Sequence, residues 1–478
     1  MKKNVLQGLI LSFSLFVTAT YAEQKIDPEI LAEKINKVLT DFGENINVGV
    51  FVQDAKTGKV LYKKDVDRYF MPASNQKLFT AFAALRYLGP DFSYHTQLFA
   101  DYKKIKKSTL NDNIYLQFSG DPTLTVPQFE FLIESLSEAG IRHIKGQAII
   151  DDSAFDQMTL SPGSSWDDQD FCWGSPMSSL IINHNCVTAT LNPAAKAGEP
   201  AKLELPDYPQ TMKFINEVVT SSDKTKNCQV KVKRTDSSSY TLSGCILDKA
   251  KPQVIEMAIS SPRENIRSLL NYSLKKNQIS LAGGIEFKKF DAFPKAFARQ
   301  DSPPLKDMVS TMLKESDNTI ADALFKTMGA DYAHEAGSYT NGNKAVRAIL
   351  STTLELKLPK TTLIDGAGAS RYNFLKPEQI VYLLQKIFLS PESSSFISSL
   401  AIAGVDGTLK DRLNEPETRG KIYAKTGSET AVTSLAGYVE TKNKQTLIFS
   451  IMINGFTEPS AKYKELEDKI CKILVDAG

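Results

Sequence analysis

The sequence predicts an α/β chain of the α+β type, in which a domain with a five-stranded antiparallel sheet and helices is interrupted by two nested inserted domains. Three observations lead to this prediction. The 478 residues exceed what one hydrophobic core usually serves. A hairpin pattern near the N-terminus and a meander pattern near the C-terminus together supply five strands. Turn-rich, strand-like sequence with four of the five cysteines separates these two parts.

The elements near the N-terminus carry clear local signals. Asp27 is expected to cap a helix that has Pro28 at its first position and ends at Gly43. Apolar residues at 48–52 and 60–62 flank a turn that contains glycine, which predicts a hairpin. A turn and an apolar helix follow.

The remaining elements follow from hydrophobic periodicity. In the middle of the chain the patterns predict strands at 113–118, 147–150, 186–191, 202–205 and 228–232 and a helix at 129–139. Towards the C-terminus they predict helices at 305–313, 320–328 and 345–354, strands at 420–424, 434–439 and 446–453, and a closing helix around Cys471. The hairpin and the meander are expected to share one sheet, covered by the two terminal helices.

The expected division into domains follows these changes of pattern. Residues 23–93 and 294–478 would form the domain that contains the five-stranded sheet. Residues 94–160 and 250–293 would form an inserted mixed α/β domain, and residues 161–249 a nested β-rich domain.

Residues 1–22 show the pattern of a secretory signal peptide. Two lysines precede a mostly apolar run, and small residues lead to a cleavage position after Ala22. The alternative is a membrane anchor, which needs about 20 unbroken apolar residues. Polar residues interrupt this shorter run, so the sequence favours export to the periplasm without a transmembrane anchor.

Charge and histidine usage exclude several classes of protein. Without the leader, basic and acidic residues balance at 55 each, and no basic patch with interleaved aromatic residues argues for nucleic acid. His95, His143, His184 and His334 are scattered without the spacing of metal ligands. The sequence therefore predicts neither a metal nor another cofactor.

The cysteines agree with an exported protein. Cys172 and Cys186 are close in sequence, as are Cys228 and Cys245. Four cysteines allow three pairings; short loops favour the two local pairs, but sequence alone does not choose. Cys471 remains, beside the apolar stripe of the C-terminal helix, and is expected to be a buried free thiol.

Residues 71–77, which run into the apolar stretch 78–85, carry the first chemical signal. Ser74 and Lys77 stand three residues apart, so in a helix they would share one face. A hydroxyl and an amine held in this way can act as nucleophile and base if burial or a second cation lowers the pKa of the lysine. The pattern is common, however, and recurs at Ser221–Lys224 and Ser273–Lys276 without the same apolar context.

Two later stretches support a chemical role for Ser74 and Lys77. Ser316 and Asn318 interrupt a helical pattern, and the simpler interpretation is a helix cap. Lys425 and Thr426, followed by glycine and Ser428, were expected at the end of a strand, where the simpler interpretation is a hairpin turn. In this order, Ser-x-x-Lys, Ser-x-Asn and Lys-Thr-Gly are the motifs of penicillin-binding proteins and serine β-lactamases.

Each motif supplies groups that acyl transfer requires. Ser74 is expected to attack a carbonyl and Lys77 to take its proton. Ser316 would pass a proton to the leaving amine, while Asn318 positions the substrate amide. Lys425, with Thr426 and Ser428, would hold a terminal carboxylate, and backbone N–H groups of Ser74 and Ser428 would form an oxyanion hole. The cation of Lys425 would also help to keep Lys77 neutral.

On these motifs the chain resembles the class C low-molecular-mass penicillin-binding proteins, the penicillin-binding protein 4-like D-alanyl-D-alanine carboxypeptidase/endopeptidases. The resemblance also covers the stretches 88–92, 120–124, 365–371 and 404–409. A class A β-lactamase has no room for the long gap between Ser74 and Ser316, whereas this family places two nested domains there.

The resemblance implies a fold, a reaction and further residues. The fold is a serine β-lactamase/DD-peptidase-like domain with two insertions. The reaction is cleavage of D-Ala-D-Ala termini or peptide crosslinks of peptidoglycan through an acyl-serine, with β-lactams as covalent inhibitors. Asp168 is the closest match to an acid that reads a free amine of the substrate, although a surface role in a loop is also compatible with its position. The resemblance also implies local disulfides, and Ala367 departs from the serine that relatives often have there.

Two other functions remain compatible with the sequence. One is a non-catalytic peptidoglycan- or β-lactam-binding protein on the same fold, but such a protein has no need for all of the motif residues. The other is a β-lactamase, which would release the acyl group rapidly.

Overall fold

The computed structural model describes residues 26–43, 46–225, 227–291 and 295–478. The predicted signal peptide, residues 1–22, lies outside the described residues. Within the described ranges, no helix is both long and apolar enough to cross a lipid bilayer.

A six-stranded antiparallel sheet, called the central sheet below, lies at the centre of the fold. In spatial order its strands are Ala401–Ile402, Ile422–Glu429, Val432–Glu440, Thr446–Asn454, Asn47–Asp54 and Val60–Lys64. The N-terminal hairpin thus joins the C-terminal meander, as the sequence predicts. The sixth strand is a two-residue edge strand that the sequence pattern does not show.

Helices cover both faces of the central sheet. The described α-helices are Pro28–Phe42, Lys77–Tyr87, Val126–Glu138, Pro262–Lys276, Leu305–Lys314, Asn318–Ala333, Tyr339–Leu354, Pro377–Phe388, Ser393–Ser398 and Ser460–Val475. The two terminal helices pack on one face, as expected. Five helices pack on the other face, so the inner strands are apolar on both sides; they are Lys77–Tyr87, Leu305–Lys314, Asn318–Ala333, Tyr339–Leu354 and Pro377–Phe388. Ile448 faces this second core, whereas Phe449 faces the first.

The first helix has the ends that the sequence predicts. The Asp27 carboxylate accepts a hydrogen bond from the backbone N–H of Glu29 at 2.9 Å, Pro28 stands at the first helical position, and Gly43 ends the helix at φ +73°. Short 3₁₀ helices lie at Ala73–Gln76, Tyr102–Lys104, Trp166–Asp170, Cys172–Gly174, Asn183–Asn185 and Gly407–Leu409.

In sequence between the N-terminal hairpin and the C-terminal meander of the central sheet, the chain forms a layer of two small sheets with parallel and antiparallel strands. The five-stranded sheet has the order Ile285–Phe287, Ala148–Asp151, Ile114–Gln117, His95–Phe99 and Ala298–Asp301. The four-stranded sheet has the order Ser280–Leu281, His143–Ile144, Thr109–Leu110 and Ile105–Lys106. Val126–Glu138 and Pro262–Lys276 pack together over a core of their own.

A β-rich part with a separate small core is nested within this layer. One sheet has the order Lys202–Glu204, Cys186–Asn192 and Gln253–Ala258. The other contains Lys213–Asn216, Ser239–Leu247, Val219–Ser221 and Val230–Asp236. Disulfides join Cys172 to Cys186 and Cys228 to Cys245, the two pairings that short loops favour.

Strand pairing places two segments outside the boundaries expected from the sequence. Ala298–Asp301 pairs with His95–Phe99, although residues from 294 onwards were expected in the domain of the central sheet. Gln253–Ala258 pairs with Cys186–Asn192, beyond the expected end of the nested part at residue 249. The division into domains itself remains a prediction.

Candidate active site

Ser74 lies in a tight turn at the start of a buried helix. The turn is the 3₁₀ helix Ala73–Gln76, and the α-helix begins only at Lys77. A 3₁₀ turn brings residues i and i+3 together even more directly than an α-helix does. The Lys77 amine therefore reaches Ser74, with Nζ 2.9 Å from Oγ.

Three oxygen atoms surround the amine of Lys77. Within the described part of the chain, Nζ donates hydrogen bonds to Ser74 Oγ at 2.9 Å, to Asn318 Oδ1 at 2.7 Å and to the Ala367 carbonyl at 2.8 Å. The side chain has no exposed surface. The predicted nucleophile, the predicted base and the predicted amide thus form one connected group.

Burial is the main influence on Lys77. It lowers the pKa of the amine to about 8, because the charged form loses its hydration. The carboxylates of Asp322 and Asp365 oppose this shift most strongly, followed by those of Asp317 and Glu429. The neutral amine that a general base needs is therefore accessible at mildly alkaline pH.

The Ser316 stretch is a helix cap and part of this group at once. Asp317 caps the helix, and its carboxylate accepts from the backbone N–H three residues later at 2.8 Å. Asn318 contacts Lys77, while Ser316, held at φ +64°, accepts a hydrogen bond from Lys425 Nζ at 2.9 Å. The interpretation as a helix cap is thus correct for Asp317, whereas Ser316 and Asn318 contact the two lysines.

Lys425 lies inside a strand and not at a strand end. It belongs to Ile422–Glu429, so the interpretation of this tripeptide as a hairpin turn is wrong here. Besides Ser316, its amine donates to the Thr426 carbonyl at 2.8 Å. Burial, followed by the positive charge of Lys77, lowers the pKa of Lys425 well below its ordinary value. The sequence predicts that the Lys425 cation helps to keep Lys77 neutral, but burial is what lowers the pKa of Lys77, and it is the charge of Lys77 that acts on Lys425.

The next residues of the strand line its outer side. The Thr426 hydroxyl donates to the Thr408 hydroxyl at 2.8 Å, and the Ser428 side chain is exposed. Both therefore lie where a bound molecule can reach them.

Two glycines allow backbone to approach the Ser74 turn. A Cβ on Gly427 would lie 2.2 Å from Ser434 Oγ and 2.9 Å from the Pro72 carbonyl oxygen. A Cβ on Gly368, which has φ +85°, would lie 2.0 Å from the Ala73 carbonyl oxygen. The strand and the loop that flank the turn can pack this closely only without side chains at these positions.

Asp168 lies at one wall of the same site. It is part of the 3₁₀ helix Trp166–Asp170, is half-buried, and accepts a hydrogen bond from Trp173 Nε1 at 3.1 Å. The Trp173 carbonyl in turn accepts from Asn318 Nδ2 at 2.8 Å. Asp168 and Asn318 line one small cavity, and Asn318 also contacts Lys77, so this residue links the inserted part to the lysine.

Sequence reasoning missed Asp322 and the backbone contact of Ala367. Asp322 stands four residues after Asn318, a spacing that places both on one face of the helix and could have indicated its position. Its carboxylate accepts from the backbone N–H groups of Gly366 at 2.8 Å and Ala367 at 3.0 Å. Ala367 lies outside the three motifs but contacts Lys77 through its carbonyl, which any residue type supplies.

Glu429 was also missed. It stands four residues after Lys425 on the same strand, so the two side chains point to the same face of the sheet. Its Oε2 lies 3.5 Å from Nη2 of Arg371. Burial and the neighbouring Asp168 raise the pKa of Glu429 to about 7, whereas the Arg371 charge lowers it. The alternation of side chains along a strand could have indicated in the sequence that Glu429 shares a face with Lys425.

Comparison with known proteins gives a consistent result. The family model described as the D-Ala-D-Ala carboxypeptidase 3 (S13) family matches residues 31–475. The chain is similar to the D-alanyl-D-alanine carboxypeptidase DacB of Haemophilus influenzae, with 30% identity over 416 residues that cover 87% of this chain and 86% of the relative.

Solved structures show the same likeness. The crystal structure of penicillin binding protein 4 from Haemophilus influenzae matches with a TM-score of 0.82 and 28% identity, covering 92% of this chain and 99% of that one. A second structure of that protein, complexed with a β-lactam, matches with a TM-score of 0.77 and 27% identity over the same shares. The central sheet and the inserted parts are thus shared together.

Proposed function

The chain belongs to the D-Ala-D-Ala carboxypeptidase 3 (S13) family, and we propose from this premise that it hydrolyses D-Ala-D-Ala termini of peptidoglycan peptides with Ser74 as its nucleophile. The protein is a D-Ala-D-Ala carboxypeptidase of the penicillin-binding protein type. The observation that carries the role of Ser74 is the 2.9 Å contact between its Oγ and the buried amine of Lys77.

Lys77 acts as the base of acylation. A protonated amine has three N–H donors and its three oxygen neighbours accept them all, whereas the neutral amine keeps two donors and a lone pair. Asn318 Oδ1 and the Ala367 carbonyl can only accept, so they take the two donors. The lone pair then faces the Ser74 hydroxyl, which donates its proton as Oγ attacks the substrate carbonyl.

Ser316 completes the proton path in this proposal. As the tetrahedral intermediate collapses, the bond to the terminal D-alanine breaks and its nitrogen needs a proton. Ser316 gives this proton and receives in its place the proton that Lys77 took from Ser74. Lys425 donates a hydrogen bond to Ser316 Oγ and so fixes the orientation of this hydroxyl. The product is an acyl-serine ester and free D-alanine, and attack by water on the ester then restores Ser74.

The strand that carries Lys425 binds the substrate. The cation of Lys425 and the hydroxyls of Thr426 and Ser428 hold the terminal carboxylate, and this carboxylate favours the charged form of the lysine when it binds. The backbone N–H groups of Ser74 and Ser428 stabilise the oxyanion.

Endopeptidase activity, amine recognition and location complete the proposal. A peptide crosslink presents the same acyl group with a different leaving amine, so the same site cleaves it. Asp168, on the wall formed by the inserted part, reads a free amine of the substrate. The protein works in the periplasm, which the leader pattern and the two disulfides support.

Digestion of purified muropeptides tests the proposal. Wild-type protein is expected to remove one alanine from pentapeptides and to split crosslinked dimers, and mass spectrometry distinguishes these products. Ser74→Ala should yield neither. Unchanged muropeptides after incubation with folded wild-type protein would contradict the assignment.

A fluorescent penicillin separates the two alternative functions. A non-catalytic binder would show no covalent label, or equal label on wild type and Ser74→Ala. A β-lactamase would release the label rapidly and accumulate hydrolysed penicillin. The proposed peptidase keeps a long-lived label that depends on Ser74, as the β-lactam complex of its relative suggests.

A further inference from the structure

We infer that Asp322 is a positioning residue of the acylation machinery, which fixes the backbone of Gly366 and Ala367 so that the Ala367 carbonyl holds Lys77 with its lone pair towards Ser74. The inference rests on the proposed function of Ser74 and Lys77. It concerns a buried carboxyl group that belongs to none of the three motifs.

The contacts form a continuous path from Asp322 to the amine. Asp322 Oδ1 accepts from the N–H groups of Gly366 at 2.8 Å and Ala367 at 3.0 Å. The carbonyl of the same Ala367 accepts from Lys77 Nζ at 2.8 Å. Tyr339 donates its hydroxyl to Asp322 Oδ2 at 3.2 Å and so holds the carboxyl group from the other side.

One helix thus controls both acceptors that orient the amine. Asn318 and Asp322 share a face of the helix Asn318–Ala333. Asn318 contacts the amine directly, and Asp322 does so through Ala367. If the Ala367 carbonyl turned away, the neutral amine would have one fixed acceptor and could rotate its lone pair away from Ser74.

Asp365, which lies in the same loop, has a different task. Its carboxylate accepts from the N–H groups of Gly368 and Ser370, both at 2.7 Å, and from Asn373 Nδ2 at 3.0 Å. These bonds fold the loop on itself, whereas those of Asp322 attach the folded loop to the helix of Asn318. The two acids are therefore not interchangeable.

The charge of Asp322 adds a second effect. Burial and the nearby Asp365 raise the pKa of Asp322 to about 7, while the N–H of Gly366 and the charges of Lys77 and Lys326 lower it. Around pH 8 the group is therefore mostly ionised, and its negative charge raises the pKa of Lys77.

The other charged groups around Lys77 set the background for this effect. On the same side as Asp322, the carboxylates that also raise the pKa of Lys77 are Asp365, Asp317 and Glu429. Lys425 is the second buried lysine of the site, and burial, followed by the charge of Lys77, lowers its pKa. These groups stay in place when Asp322 alone is changed.

The test measures the second-order rate constant of acylation by a fluorescent penicillin between pH 6 and pH 9.5. In Asp322→Asn the amide oxygen still accepts from both N–H groups, and its NH₂ meets the Tyr339 hydroxyl, which can also accept. Geometry is kept and charge is lost, so the rise of the rate with pH should move to lower pH by on the order of half a unit.

Asp322→Ala removes the acceptor as well as the charge. The Ala367 carbonyl then loses its anchor, and a displacement of about 1 Å at Lys77 lowers the acylation rate by about 10- to 100-fold. If this variant does not fold, Asp322→Glu decides: it keeps the charge, but its longer side chain displaces the acceptor, so the acylation rate should fall without a shift of the pH profile, and a wild-type rate would overturn the inference.

Glu467→Gln is the matched control. Glu467 is also fully buried with a pKa raised to about 7. It lies in the helix Ser460–Val475, on the face of the central sheet that the two terminal helices cover, and contacts Arg412 and Thr433. This variant should lose stability without a shift of the pH profile. An acylation rate of Asp322→Ala that equals that of wild type, or a shift of the pH profile in Glu467→Gln equal to that in Asp322→Asn, overturns the inference. Absence of labelling at Ser74 in the wild type would instead refute the proposed function.

Discussion

At the scale of single residues, Lys77 and Lys425 are both fully buried but differ in their charged neighbours. Lys77 has several carboxylates nearby, and its pKa falls only to about 8. Burial, followed by the charge of Lys77, lowers the pKa of Lys425 well below its ordinary value, and Glu315 is the carboxylate that opposes this shift. In the proposed mechanism Lys77 acts as the base, while Lys425 binds the substrate carboxylate.

The pH dependence of acylation follows from the sign of the Lys77 shift. Below pH about 8 the amine is protonated and cannot act as a base, so the acylation rate should rise through this pH. Lys77→Arg places a guanidinium there that stays protonated, and acylation should fall by about 10²- to 10⁴-fold at every pH. Stopped-flow labelling with penicillin measures both. Lys37→Arg, at an exposed lysine, is the control, and a pH-independent wild-type rate would contradict the base role.

The role of Asp168 can be separated from that of its neighbour. Asp168→Asn should lower kcat/KM by about 10- to 150-fold for peptides that carry a free side-chain amine, because a charged hydrogen bond contributes about 1.5–3 kcal/mol. Penicillin labelling should stay unchanged. Asp167→Asn changes an exposed acid of the same 3₁₀ helix and is expected to have no effect. Equal losses in both variants would show that only the overall charge of this segment matters.

The residue scale also shows where sequence reasoning stops. Ser74, Lys77 and Asn318 were predictable because their side chains carry the motif spacing. The contact of Ala367 uses a backbone carbonyl, which no side-chain pattern reveals. Asp322 stands four residues after Asn318, which places it on the same helix face, but the sequence does not show that residues 366 and 367 pack against this face.

At the scale of elements, close packing around the Ser74 turn depends on the loop at residues 365–370 and the strand Ile422–Glu429. Both approach the turn through glycine. The tripeptide Lys-Thr-Gly shows how strongly context decides an element: at residues 56–58 it forms a turn, whereas at 425–427 it pairs with residues 434–436 of the neighbouring strand of the central sheet. Sequence cannot distinguish these cases because the neighbouring strands, and not the tripeptide, select the conformation.

Two glycines with the same backbone angle test this packing. Gly368→Ala and Gly89→Ala both place alanine at a φ of about +85°, which costs about 1–2 kcal/mol of unfolding free energy. Only Gly368 faces the carbonyl of Ala73; the space beside Gly89 is open. Penicillin acylation should therefore fall in Gly368→Ala alone, whereas parallel losses in both would attribute the effect to stability.

At the scale of the whole molecule, the inserted part contributes a wall to the site. Ends of the first helix and the pairing of the hairpin with the meander were predictable, because caps, turns and alternation are local signals. The helices at 305–313, 320–328 and 345–354 were predictable as elements, but their packing on the second face of the central sheet and the return strand Ala298–Asp301 were not, because their partners are far away in sequence. The wall with Asp168 and Trp173 reaches Asn318 only through this long-range arrangement.

The two disulfides test the importance of the wall. They close loops of similar length, with separations of 14 and 17 residues, so the removal of either should cost about 3 kcal/mol of unfolding free energy. Replacement of Cys172 and Cys186 by serine should also lower kcat/KM for peptides, because Cys172 adjoins Trp173. The same replacement of Cys228 and Cys245 should not. Thermal unfolding and peptide hydrolysis measure the two effects, and equal activities would contradict a role of the wall.

Peptide mapping of the penicillin-treated protein by mass spectrometry tests the central claim most directly. The account predicts that one peptide gains the mass of the penicilloyl group, that fragmentation places it on Ser74, and that Lys77→Arg acquires it far more slowly. An adduct on another residue, or none on folded protein, would contradict the account.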